Sequence, residues 1–228
     1  MPAARRSLTS TIMPKLILIK HAAPDIKPDV PSRRWVLSAE GRARCGWLAR
    51  ELRTQGVRKL YCSLEPKALE TAALVAVALG FEVHPRENLH ENDRTGQGLV
   101  SADEIKARIR RFFAEPKSLV MGAETALQAA ARFAGAIRAV LAEEPEQTVA
   151  VVTHGTVLTT FVAAHNPIDP FDFWESLSLP GYVVLDAESL KTEGAAHAFQ
   201  EVPDLPNRAD ARPVTLERVQ QLRNDLSE

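Results

Sequence analysis

Two histidines stand at the ends of short apolar runs: KLILIKHAAP carries His21 and TVAVVTHG carries His154. Each is followed by a small residue, Ala22 or Gly155, which lets a phosphate-sized group come close to the backbone beside the ring. An imidazole so placed can serve as nucleophile, acid, base or metal ligand, and taken alone it is equally well a hydrogen-bonded structural residue. A third stretch, CSLEPKALETA, sets Ser63 and Lys67 just beyond another apolar run, with the lysine near the start of a helical segment. Helix N-termini attract anions, and a lysine held there adds a full charge. Three such pieces together point to anion-handling chemistry on a small ligand.

The elements that must position these residues are legible in the pattern. Lys15–Ile19, Thr148–Val152, Arg58–Ser63 and Gly181–Asp186 are short runs rich in apolar residues, as expected of strands buried on both faces of a parallel sheet. Ser38 is an N-cap candidate for a helix that stops at Gly56, and Pro66 and Gly80 bracket a second. Ser101 with Glu104 and Thr125 with Gln128 have the spacing of capping boxes, the latter opening a helix that runs to about Glu143. Strands alternating with helices of this length predict an α/β domain with a parallel sheet covered on both sides. Ligands in such folds sit at the carboxyl ends of the strands, where His21 and His154 would emerge.

The chain has 228 residues, 45% of them hydrophobic, enough for one sizeable core. A formal charge of −1 gives no general attraction to nucleic acid or anionic membrane, so anion chemistry must come from local cations and the partner is expected to be small. The two cysteines, Cys45 and Cys62, have no CxxC spacing and neither begins a C-x5-R motif, since Glu51 and Ala68 occupy the arginine positions. They fit a reducing compartment, and a cytoplasmic location is expected. No apolar run approaches the roughly 20 residues that cross a bilayer. Residues 1–13 are expected to form a disordered extension, with Met13 an alternative start and a transit peptide the lesser alternative. Residues 14–202 are read as one domain, and 203–228 as a linker and a short amphipathic helix.

In their order along the chain these stretches resemble the histidine phosphatase superfamily, the phosphoglycerate mutase-like group. KHA, Lys20–Ala22, stands where that family has Arg-His-Gly, and Ser63, Lys67, Ala68, Thr71 and Ala72 match its Ser-x-x-x-Arg-Ala-x-x-Thr-Ala segment. THG, Thr153–Gly155, matches the second histidine motif; Leu37–Cys45 is similar to its Leu-Thr-x-x-Gly-x-x-Gln stretch, and Leu89–Asp93 to the segment carrying its acid. The resemblance spans residues 15–186. It implies a single three-layer α/β/α sandwich with a mostly parallel central sheet, phosphoglycerate mutase-like in topology.

The resemblance also implies a chemistry. His21 would attack phosphorus and carry the phosphoryl group as phosphohistidine until water removes it, a metal-independent phosphomonoester hydrolysis without cofactor. Lys20, Lys67 and His154 would bind the phosphoryl oxygens, and Glu91 would protonate the leaving alkoxide, for which its carboxyl must be protonated near neutral pH. Asp93 and Glu124 are the alternative acids. The expected partner is a small phosphorylated substrate or a phosphoprotein. A phosphoglycerate-type mutase, a catalytically weak phospho-ligand binder and a metal site of His21, His154 and Glu91 are the alternatives. Both family arginines are lysines here, which keeps the charge while giving up the planar fork that binds phosphate through two parallel bonds. Of the three tryptophans only Trp35 is placed near the cleft, with Arg33 and Arg34 beside it as candidates to reach substrate.

Overall fold

Alternate residues of the central strands face opposite ways, and both sets are buried. Leu16 and Leu18 of β1 (Lys15–Lys20) pack with Val149 and Val151 of β4 (Val149–Thr153) on one side of the sheet, while Ile17 and Ile19 pack with Ala150 and Val152 on the other. Strands without a polar face are covered twice. One cover is α1 (Ala39–Thr54) with α2 (Pro66–Leu79), through Leu48, Leu52, Leu69 and Val75. The other is α3 (Ala102–Ala114), α4 (Ala126–Glu143), α5 (Gly155–His165) and α6 (Pro170–Ser176), whose Phe112, Phe133, Phe161 and Phe171 share one core cluster. The result is a three-layer α/β/α sandwich. The computed structural model describes residues 13–96 and 100–199; the expected extension of residues 1–13, all but Met13, and the expected C-terminal linker and helix lie outside them.

The six-stranded sheet has the order β3-β2-β4-β1-β5-β6, with β2 at Lys59–Ser63, β3 at Val83–Arg86, β5 at Gly181–Asp186 and β6 at His197–Ala198. Pairings from β3 through β1 are parallel, whereas β5 runs antiparallel to β1 and β6 antiparallel to β5. The sheet is therefore mostly parallel, as expected. Thr125 and Gln128 form a reciprocal capping box, while Ser101 makes only its own half, accepting from the N–H of Glu104.

Register explains why the histidines meet. Lys20 is opposite Thr153 in the parallel β1–β4 pair, and Cys62 is opposite Val152 in β2–β4. The next residues, His21 and His154, thus leave the sheet at one level, with Ser63, the last residue of β2, one step behind them, and the His21 N–H extends the ladder to Thr153 O at 3.0 Å. The loop after His21 is tied to α1 by Ser38, whose N–H and hydroxyl both donate to Ala23 O, at 3.0 and 3.1 Å. Gly41 makes this close approach possible: a Cβ there would lie 2.1 Å from Ala23 O. Gly41→Ala gains about 1 kcal/mol at most in helix propensity and forces this loop off α1. The net expected effect is a loss of about 1–3 kcal/mol, read from denaturant midpoints; an unchanged or raised midpoint would show that the loop yields freely.

Candidate active site

His21 is nearly enclosed, with 7% of its surface exposed, and its Nδ1 lies 2.8 Å from Ala22 O. A carbonyl only accepts, so Nδ1 carries the hydrogen and the lone pair sits on Nε2. Burial holds its pKa well below the usual histidine value, and the neighbouring His154 and Lys67 push the same way. The imidazole is neutral near pH 7, and one ring nitrogen keeps its lone pair. His154 packs edge-on against it, ring centroids 5.1 Å apart. It is fully buried, its Nε2 is 2.9 Å from Ser63 Oγ, and its Nδ1 has no partner among the described residues. Burial first, and Lys67 second, keep it neutral as well.

Lys67 lies in the first turn of α2, where Thr71 Oγ1 takes the Ala22 N–H at 3.0 Å and donates to Lys67 O at 2.7 Å, locking helix and histidine loop together. The Lys67 ammonium donates to Ser32 O at 2.9 Å, on the 3₁₀ turn Ser32–Arg34, and pairs with Glu65. Lys20, the last residue of β1, donates to Leu177 O at 2.8 Å and lies over the Trp174 ring at 5.6 Å from its centroid. Burial lowers its pKa to about 8 despite the Glu91 carboxylate, and Arg94 adds to the lowering. Gly155 leaves the space these groups fill: a Cβ there would lie 3.1 Å from Lys20 Cε and 3.2 Å from Trp174 Nε1. The tryptophan reading is corrected accordingly. Trp174, not assigned to the cleft from sequence, lies against Lys20, while Trp35 closes its own loop by donating to Val30 O at 2.8 Å.

Glu91 reaches the start of α5 and accepts the N–H groups of Thr156 and Val157, each at 3.2 Å. Desolvation by itself would raise its pKa, but Arg94 at 3.5 Å, His154 and the N–H donors of Asn92 and Thr156 outweigh it and hold the carboxyl below the usual range. The expectation of a protonated Glu91 is thus not met in the free pocket, because this carboxylate caps a helix and faces a guanidinium. Its segment is strung between two anchors. Glu65 Oε1 takes the Glu91 N–H at 2.9 Å, and Arg132 donates to Asn88 O, His90 O and Glu91 O while pairing with Glu124. Glu124 also accepts the Asp93 N–H at 2.9 Å, so this alternative acid is a strut of the loop. Asp93 folds back on the N–H of Thr95 at 2.8 Å.

All five residues singled out in the sequence, Lys20, His21, Lys67, Glu91 and His154, therefore line one end of the sheet. The arrangement brings two neutral imidazoles, cations and a carboxylate together at that end. Sequence reasoning missed Arg94, which donates to Asn92 Oδ1 at 3.1 Å and Thr156 Oγ1 at 3.0 Å, and Glu65. Arg94 lies three residues after Glu91, the only signal it gave. Among the described residues no three His, Cys, Asp or Glu side chains are grouped to hold a metal ion, and no helix is long and apolar enough to cross a membrane.

Comparison with known proteins identifies the family and the fold. The family described as Histidine phosphatase superfamily (branch 1) matches residues 16–196. Phosphoserine phosphatase 1 of Hydrogenobacter thermophilus is 26% identical over 170 residues, covering 71% of this chain and 81% of that protein. The native structure of a mycobacterial glucosyl-3-phosphoglycerate phosphatase superimposes with a TM-score of 0.67 at 19% identity, over 82% of this chain and 100% of the other. The phosphoserine phosphatase of Entamoeba histolytica gives 0.64 at 17% identity, over 84% and 98%.

Proposed function

The chain belongs to the histidine phosphatase superfamily, and from that premise we propose that it hydrolyses phosphomonoesters through a phosphohistidine on His21. His21 Nε2 attacks phosphorus as the ester P–O bond breaks, and the leaving alkoxide takes a proton from Glu91. Water then attacks the phosphohistidine, gives its proton to Glu91, and the N–P bond breaks to release inorganic phosphate. Glu91 is ionised in the free pocket, but a phosphoryl dianion set beside it raises its affinity for a proton. The acid thus takes up its proton with substrate binding. Lys67, Lys20 and the unpaired Nδ1 of His154 supply charge and hydrogen bonds to the phosphoryl oxygens, where phosphoryl transfer needs them.

The observation that carries this reading is the bond from His21 Nδ1–H to Ala22 O, which leaves a neutral ring with its Nε2 lone pair unspent. The test is a rapid alkaline denaturing quench with a radiolabelled aryl phosphate, the label then being probed for acid and base stability. An acid-labile, base-stable label on His21 is expected; a label on a serine or an aspartate overturns the mechanism. Phosphoserine and glucosyl-3-phosphoglycerate, named for the relatives, are the first substrates to try. Each has a carboxylate on its alcohol, and Arg33 and Arg34 are exposed on the turn whose Ser32 O holds Lys67.

A pH dependence follows from Lys20. Its ammonium is charged below about 8 and neutral above, whereas inorganic phosphate is already a dianion there. Phosphate affinity is expected to weaken about tenfold between pH 7.5 and 9.5, measured by competitive inhibition. Lys20→Ala should bind less tightly throughout and lose that slope; a wild type without the slope would put the Lys20 ammonium out of reach of the phosphoryl group.

A further inference from the structure

Glu65 is the N-cap residue of α2, yet its side chain accepts none of the helix's own N–H groups. An N-cap carboxylate ordinarily does so. This one, with a side chain only 11% exposed, turns into the active site instead and meets three of its parts. It pairs with the Lys67 ammonium, its Oε1 accepts the Glu91 N–H at 2.9 Å, and the same oxygen lies 3.6 Å from His154 Nε2. These contacts come from α2, from the segment carrying the candidate acid and from the end of β4. One carboxylate links them all.

We propose that Glu65 is a positioning residue of the phosphoryl-transfer site, which aims Lys67 and the Glu91 segment at the phosphoryl group and weakens the hold on released phosphate. The proposal rests on the phosphatase reading above. An ammonium on a flexible stem has three donors and no fixed plane. Here two are spent, on Ser32 O and on Glu65, and the tetrahedral nitrogen then directs the third along one line. The orientation that a guanidinium carries within itself is supplied to Lys67 from outside. The same contact sets a negative charge beside the anion site. A phosphoryl group approaching Lys67 must share it with Glu65, so product phosphate is held less tightly than by an unopposed lysine. Faster product departure and a better-aimed cation are separable consequences.

They are separated by two variants and two measurements. Glu65→Gln removes the charge and retains an amide of the same length. Inorganic phosphate should bind it about tenfold more tightly by calorimetry, since a like charge within a few ångströms of a titrating or binding anion is typically worth a factor of ten or more. Its kcat on an aryl phosphate should fall by about 10- to 100-fold, the cost of a small misplacement of reacting groups. Glu65→Asp keeps the charge but shortens the arm, so phosphate affinity should stay within about threefold of wild type while kcat falls. A merely structural role would lower the melting temperature and the active fraction without changing the phosphate dissociation constant. An unchanged or weaker constant in Glu65→Gln, beside a wild type that binds phosphate, overturns the proposal alone. A wild type that binds no phosphate overturns the phosphatase reading and the proposal with it. Should Glu65→Gln not fold, Glu65→Asp decides: a kcat equal to wild type refutes the positioning role.

Discussion

Replacing His21 by alanine is expected to lower kcat for an aryl phosphate by about 10³ to 10⁶, the range seen when an enzyme loses its nucleophile. The fold should survive. The side chain stands at a strand end, and the contact that continues the ladder, His21 N–H to Thr153 O, belongs to the backbone. Steady-state turnover and chemical unfolding on the same preparations check both halves; residual activity above a hundredth of wild type would transfer the nucleophile elsewhere. The variant also changes how stability responds to acid. The folded imidazole binds its proton less readily than an unfolded one near 6.5, because burial, His154 and Lys67 oppose the charge. As pH falls through about 6.5 the unfolded chain takes up more protons, so wild-type stability should decline. In the variant that decline should be shallower, with the part due to His154 remaining.

Glu91→Gln should reduce kcat on alkyl phosphates by about 10² to 10⁴, the usual worth of a general acid, and on nitrophenyl phosphate far less, because a good leaving group needs little protonation. The geometry adds a stability effect that the acid role does not require. Glu91 accepts the N–H groups of Thr156 and Val157 with its two oxygens, and an amide can satisfy only one while turning its NH₂ on the other. A loss of about 1–3 kcal/mol is expected from the unsatisfied donor. Rates that fall equally on both substrates, with the stability loss present, would make Glu91 a helix cap and nothing more.

What the sequence could show depended on whether a residue's role was set nearby or across the fold. His21, His154 and Ser63 were placed at one sheet edge because their strands are almost wholly apolar, and such strands lie in the middle of a covered sheet. The direction of β5 was not legible, since its residues are as apolar as those of a parallel strand and only the connection through α6 reverses it. β3, with the sequence VHPR, is four half-buried residues holding an edge, too few and too mixed for a periodic signal. α5, GTVLTTFVAAH, is rich in β-branched residues that disfavour helix, and burial of seven of its eleven residues decides the matter instead. Glu65 and Arg94 sit in polar company where a solvated side chain is the default. Beyond its spacing from Glu91, Arg94 is placed by its contact with Thr156, 62 residues away, a distance no local pattern spans. The lysines at 20 and 67 suggested loosely aimed charges, and the structure supplies the missing aim through Leu177 O, Trp174, Ser32 O and Glu65.

The pairing of β1 with β4 joins residues 133 apart, as the bond from Lys15 N–H to Thr148 Oγ1 shows. Closing so long a loop costs entropy before the strand pairing returns any of it, and contacts of high sequence separation form slowly. On a ribosome, His21 is made early and remains idle until Thr153 and the helix after it have been synthesised. Upon refolding, the return of turnover should therefore follow the assembly of the whole sheet rather than the early formation of α1 and α2. A proteolytic cut in any connection between these two strands leaves both imidazoles intact but loosens the tether that keeps them together, so that enzymatic activity reports on chain continuity as sensitively as on the chemistry itself.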